Sequence, residues 1–370
     1  MPGDAWRESE GKKTLYWYTR LGKIALVETV FTRGRRGPEL RPFSASAEVV
    51  CRGCSPALQR AMTDFGADGP FAAAAAKLRE HYGIDVPVSA VRAITEQHGA
   101  AMLAGQPRGG SWPETPGVAR LIAELDGSMV PRVETAALDG GEGRRDRRKT
   151  RQLSWTEARL CLVREPGSVT PRVGATMGSV DAAGAQWGAC AVAAGAGAQT
   201  RVHAVGDGAP WILDQVERAF GAQATYLIDF YHLCEYLAAA ANVIAGPNKA
   251  AWMAEQKTWL KANRWREVLD RLRPYVEPDA VAADDAPVRA CVRYLSNRTA
   301  CWDYQGALAA GLPIGSGEIE SAHRYIVQSR LKRAGAWWTL DNLENMLALR
   351  VVRANREWDD YWSRVNEQAA

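Results

Sequence analysis

Residues 121–130 (LIAELDGSMV) and 201–212 (RVHAVGDGAPWI) decide how this chain folds. Each is a short apolar run that ends in Asp followed by Gly, at Asp126 and at Asp207, the pattern of a buried strand running into a turn. A third string, GLPIGSGEIESAHRYIV at 311–327, places Glu320 on the opening turn of a helical segment after a Gly/Ser break. Two strand-end carboxylates and one helical carboxylate, far apart in sequence, suit a pair of divalent cations. Mg²⁺ is a hard ion that takes carboxylate and water oxygens. Two such ions about 3.5–4 Å apart can clamp the attacking and leaving oxygens of a phosphodiester. Asp before Gly is also a common turn, so the ordered set carries the argument and no single acid does.

Working outward, the order of elements predicts the architecture. Three strand-like runs (LIAELDGSMV, SWTEARLCLV, VTPRVGATMGSV) precede a Gly/Ala-rich helical stretch. Strand TRVHAVGD, helix APWILDQVERAFG, strand ATYLIDF and helix HLCEYLAAAANVI follow. Three consecutive strands and then alternating helices and strands predict an α/β fold, a ribonuclease-H-like mixed sheet with flanking helices. In that order the first and fourth strands are neighbours, so Asp126 comes beside Asp207 across 80 intervening residues.

Residues 118–243 form the first part of this sheet domain, 244–311 an all-helical insertion, and 312–370 the domain's final helices. Ahead of it, 1–55 read as a small β-hairpin with a basic segment, and 56–104 as a helix-turn-helix-like region. Ser89, Ala90, Arg92 and Ala93 open its candidate recognition helix. In the insertion, Trp252, Gln256 and Trp259 share a helical face. With Trp265 and Trp302 they suit the core of a small bundle; the sharper alternative stacks an indole on an unpaired base. Residues 338–365 read as one long amphipathic helix packed on the sheet domain, with Leu343, Met346, Leu347 and Val351 on one stripe.

The 370 residues are 47% hydrophobic and 24% charged, which describes a globular chain with room for two or three domains. A formal charge of +4 is only mildly basic, but the cations cluster. Arg33, Arg35, Arg36 and Arg41 form one group; Arg144, Arg145, Arg147, Arg148, Lys149 and Arg151 form another; Arg330, Lys332 and Arg333 follow Glu320. Such groups suit a polyanion, although a basic run is also an ordinary solvated loop. The seven cysteines lack disulfide-framework spacing, and Cys51 and Cys54 form a CxxC with no second half of a zinc site. A reducing cytoplasm is the expected compartment. No membrane partner is expected, because even the uncharged stretch Ala182 to Thr200 is weakly apolar.

Seven strings together resemble a known family: TDFGAD (63–68), EHYGIDVP (80–87), LDGSMV (125–130), VGDGAPWI (205–212), DFYHLCEYL (229–237), GLPIGSGEIESAHR (311–324) and RLKRAGAWW (330–338). They run in order over most of the chain and resemble the DDE-type transposases of bacterial insertion sequences, most closely the ISKra-type family. The resemblance implies that Asp126, Asp207 and Glu320 form a catalytic metal-binding triad for two Mg²⁺ or Mn²⁺ ions. It also implies a helical region inserted between the second and third acids. Asp229 and His232 match a (C/D)xxH signature of related transposases. The implied activity is cleavage at element ends and transfer of their 3′-hydroxyls to target DNA. The implied partners are double-stranded DNA (transposon ends and target) and further copies of the chain on that DNA.

Each residue has competitors. Glu318 rivals Glu320, and the two lie about 200° apart on a helix, so only one faces the strands. Asp229, also at a strand end, rivals Asp207. His232 doubles as a helix-opening residue. His323 and Arg324 share a face with Glu320, which suits a phosphate-contacting edge. The expected DNA contacts are Arg92, Arg144, Arg145, Arg147, Arg148, Lys149, Arg324, Arg330, Lys332 and Arg333. Alternative functions are a structure-selective nuclease with the same fold and metals, and a transposase-derived DNA-binding repressor. A nucleotide cradle at Gly315–Ser316–Gly317 lacks both the Walker spacing and its Lys-Ser/Thr pair.

Overall fold

A computed structural model describes residues 6–33, 38–46, 53–107, 109, 112–135, 151–298 and 300–368. The chain divides into two compact units, one of Met1–Gln106, Ser329–Arg333 and Trp338–Ala370, the other of Pro107–Gln328 and Ala334–Trp337.

The first unit opens with the expected hairpin. Strands β1 (Arg7–Thr19) and β2 (Gly22–Thr32) pair antiparallel, and β3 (Glu39–Leu40) adds to β2 before the short α1 (Pro42–Ser46). Gly22 sits at φ +110°, a backbone state that L side chains rarely adopt. Three helices follow, α2 (Pro56–Asp68), α3 (Phe71–Tyr82) and α4 (Val88–Ala104). Ser55 caps α2 by accepting the Leu58 N–H, with Pro56 at the first helical position. Leu58, Met62, Leu78 and Val91 close a small apolar core among them.

The second unit is a mixed sheet with flanking helices. β4 (Arg120–Thr135) and β5 (Arg151–Arg164) are antiparallel, and β6 (Arg172–Thr176) extends β5. After α5 (Val180–Ala193), β7 (Arg201–Gly206) returns parallel to β4; α6 (Pro210–Phe220) then leads to β8 (Ala224–Ile228), parallel to β7. The strand order is β6-β5-β4-β7-β8, so the first and fourth strands of the sheet lie side by side as expected. Leu121, Ala123 and Leu125 of β4 pack with Trp187 of α5 and Ile212 and Phe220 of α6. Side chains alternate along a strand, so Ile122, Glu124 and Asp126 belong to the other face. That alternation is what places the site.

Helices α7 (Phe230–Ile244), α8 (Lys249–Lys261), α9 (Trp265–Leu272), α10 (Pro287–Ser296) and α11 (Tyr304–Ala309) gather around Leu237, Leu260, Leu269, Leu295 and Trp302. Trp252, Trp259 and Trp265 pack half-buried against this core and Trp302 is 3% exposed. The indoles thus pack on the core of the bundle, Trp302 within it and the other three at its edge. Helix α12 (Gly317–Ala322) follows, then a π-helical turn over His323–Gln328 and the short α13 (Ser329–Leu331).

The C-terminal region differs from the sequence expectation in two ways. In place of one helix over 338–365 there are two, α14 (Leu340–Ala354) and α15 (Trp358–Gln368), broken where Arg356 takes φ +61°. Both belong to the first unit, whereas the sequence assigned them to the sheet domain. Leu343, Met346, Leu347 and Val351 are all buried, on the stripe anticipated, but the stripe meets α4. Gly99 of α4 is what allows the approach: a Cβ there would lie 2.6 Å from the Asn345 carbonyl oxygen. His98 links the region further, its ring nitrogens 2.7 Å from the Tyr361 hydroxyl and 2.8 Å from Gln59 Oε1. Among the described residues no helix is long and apolar enough to cross a membrane.

Candidate functional site

The parallel pairing of β4 with β7 matches Ala123 to Ala204 and Glu124 to Val205. Two residues further along the same register, Asp126 stands level with Asp207, on neighbouring strands whose usual spacing is about 4.8 Å. Asp207 begins the turn into α6, where its Oδ1 accepts the Ala209 N–H at 2.8 Å. The helical insertion holds that turn. Tyr294 donates its hydroxyl to the Asp207 carbonyl, Arg298 Nε donates to the Gly208 carbonyl at 2.7 Å, and the Gly208 N–H donates to the Tyr226 hydroxyl at 3.0 Å. Gly208 lies at φ +82°, and a Cβ there would also meet Arg298 Nε at 2.8 Å, so the position requires glycine twice over.

Electrostatics ties Glu320 to the pair. Burial pushes the Asp126 carboxyl up to about 6; the Gly127 N–H works against this, while the negative charges of Asp207, Glu320 and Glu157 add to it. A third carboxylate, from α12, is thus within electrostatic reach of the strand acids. His323, 3% exposed, brings Nε2 to 3.3 Å from Asp126 Oδ2. It belongs to the π-helical turn, a feature often found at functional sites. Among the described residues no three His, Cys, Asp or Glu side chains are gathered closely enough to hold a metal ion.

The rival acids are occupied elsewhere. Glu318 Oε2 accepts from Arg164 Nε of β5 at 2.6 Å. Asp229, 2% exposed, is the N-cap of α7: Oδ1 accepts the Tyr231 and His232 N–H groups at 2.6 and 3.1 Å. Its Oδ2 accepts both the N–H and the hydroxyl of Ser316, at 2.7 and 2.6 Å. Four hydrogen bonds use the carboxylate fully, which fits a cap and clamp better than an ion ligand. His232 opens α7, with Nδ1 3.5 Å from Glu235 Oε2 and its ring edge-on to Tyr236 and Tyr294.

One residue escaped the sequence reading. Glu124 is 1% exposed within the apolar run of β4, and its Oε2 accepts the Ile319 N–H of α12 at 2.8 Å. Burial pushes its carboxyl up to about 8; the Ile319 N–H opposes that rise, and the Glu318 charge adds to it. The signal was available. Glu124 is an acid inside a buried run and two residues before Asp126, hence on the same face.

The expected DNA contacts sort unevenly. Arg92 is exposed on α4, 3.8 Å from Glu96, beside exposed Ser89 and Ala93. Arg324 is exposed, Lys332 half-buried, and exposed Arg333 donates to the Asp68 carbonyl at 3.2 Å. Arg330 is misread as a surface contact. It is 3% exposed, donates Nε to the Gly66 carbonyl at 3.1 Å, and stacks against Phe71 and Trp338. It holds the first unit together. Arg144, Arg145, Arg147, Arg148 and Lys149 lie outside the described residues, as do Arg35, Arg36 and Cys51. In comparison with known proteins, no family model and no curated protein matches the chain.

Proposed function

We propose that this chain is a DDE-type transposase of an insertion sequence, with Asp126, Asp207 and Glu320 as its metal-binding triad. The observation that carries the reading is the register that sets Asp126 level with Asp207 where the β4–β7 pairing ends, with the Glu320 charge felt at the buried Asp126 carboxyl. The strand order, with β5 antiparallel to β4 and β6 antiparallel to β5 on one side of β4 and the parallel β7 and β8 on the other, supports a ribonuclease-H-like fold.

The donor set fits Mg²⁺ or Mn²⁺. All three groups are hard oxygen donors, and a cation would favour the ionised form of an Asp126 carboxyl that burial first, and the Asp207 and Glu320 charges next, push upward. Bound divalent ions supply activation of the attacking water or 3′-hydroxyl and neutralise charge developing on the scissile phosphate. The chain's own residues do the placing. Asp126 and Asp207 are fixed by strand register, and Tyr294, Arg298 and Tyr226 pin the Asp207 turn. Arg164 engages Glu318 and leaves Glu320 as the acid of α12 near the strand pair. DNA contact is assigned to the exposed Arg92 and Arg324 and, from the sequence, to the basic run at 144–151, on a homo-oligomer assembled on the DNA.

The test is strand joining. Purified protein would be incubated with labelled fragments carrying the DNA that flanks its coding segment, a plasmid target, and Mg²⁺ or Mn²⁺. Donor 3′ ends covalently linked to the target support a transposase. Cleavage without joining favours a nuclease, and binding without either favours a DNA-binding derivative.

A further inference from the structure

Helix α12 is only six residues long, yet it must hold Glu320 against two strands. Two buried carboxylates grip its start. Asp229 takes the N–H and hydroxyl of Ser316, immediately before the helix. Glu124 takes the N–H of Ile319, one residue before Glu320. Glu124 rises from β4 on the face that carries Asp126, two residues away. A single side chain therefore ties the backbone of the third acid to the strand of the first. A buried carboxyl in an apolar run is costly unless hydrogen-bonded, and here the hydrogen bond reaches across to α12.

We propose that Glu124 is a positioning residue: by accepting the Ile319 N–H it fixes α12 on β4 and so sets where the Glu320 carboxylate lies relative to Asp126. The proposal rests on the triad reading above and adds to it a residue that touches neither ion nor DNA. Asp229 supports the same helix from the α7 side but also caps α7, so Glu124 gives the cleaner test.

Glu124→Gln keeps an oxygen that accepts the Ile319 N–H; Glu124→Leu removes the acceptor at similar volume. Two readouts are taken on the full chain, amide hydrogen exchange over 316–322 and the Mn²⁺ dissociation constant by titration. Glu124→Leu should lose protection at Ile319 and weaken Mn²⁺ binding about ten- to a hundredfold, the usual cost of removing a residue that orients a ligand. Glu124→Gln should retain both, and far-ultraviolet circular dichroism should match wild type for each variant. If Glu124→Leu does not fold, Ile319→Pro removes the donor instead and should reproduce the Mn²⁺ loss. The proposal is overturned if Glu124→Gln loses Mn²⁺ as fully as Asp126→Asn while exchange is unchanged, because Glu124 would then be a ligand. It is equally overturned if Glu124→Leu loses protection and still binds Mn²⁺ as wild type does. Wild type that binds no Mn²⁺ would instead remove the triad reading, and this inference with it.

Discussion

At Asp126, burial and the Asp207 and Glu320 charges act in one direction, raising the carboxyl to about 6 against roughly 3.9 in an unfolded chain. The folded state binds that proton more tightly. The group's contribution to stability is therefore fully present below about pH 3.9 and is lost as pH rises through about 6. Asp126→Asn removes the penalty and should stabilise the metal-free protein near pH 7 by on the order of 1 kcal/mol, after discounting for the partial exposure of the side chain. Thermal unfolding in EDTA measures it, and an unchanged or lowered midpoint would mean that the folded state does not raise the Asp126 carboxyl. Protons compete with cations for the same oxygens, so Mn²⁺ affinity should rise between about pH 5 and 7 and then level off. At this scale the positions of Asp207 just past a strand and of Glu320 on a helical turn were legible from the runs before them, whereas Asp126, expected at a strand end, sits in the middle of β4, which runs on to Thr135 paired with β5. Glu124 shows in LIAEL as an acid inside an apolar run, but nothing there says which partner a buried acid will find.

Among the elements, the order of strands and helices could be read from period and punctuation, while the partner of each face could not. The stripe of α14 is visible in sequence, but its match to α4 depends on Gly99 leaving room for the Asn345 backbone, a long-range fit that leaves no local mark. The break before α15 is equally quiet, since Asn355-Arg356-Glu357 contains neither Gly nor Pro. Gly99→Ala should force α14 to shift and cost about 1–3 kcal/mol, the usual range for overpacking. Urea unfolding followed by tryptophan fluorescence checks this, and a neutral result would mean the two helices separate without cost. Arg330 makes the same point. It reads as one of a basic trio, yet its neighbours in space are Phe71 and Trp338, which no spacing rule brings together.

For the whole molecule, a net charge of +4 says little, and the distribution of cations says where a polyanion would lie. Replacing Arg144, Arg145, Arg147 and Arg148 with Ala should weaken DNA binding and flatten its salt dependence by roughly 0.9 in log–log slope for each phosphate no longer neutralised. Affinities across a salt series decide it; an unchanged slope would move the DNA path towards Arg92 and Arg324. The most direct test of the account needs no DNA. Mn²⁺ titration followed by electron paramagnetic resonance should show wild type binding up to two ions. Asp126→Asn, Asp207→Asn and Glu320→Gln should each lose at least one ion, while Glu318→Gln keeps the wild-type number. Equal binding by wild type and the three triad variants, or loss on Glu318→Gln instead of Glu320→Gln, would contradict the assignment of these acids as the metal site.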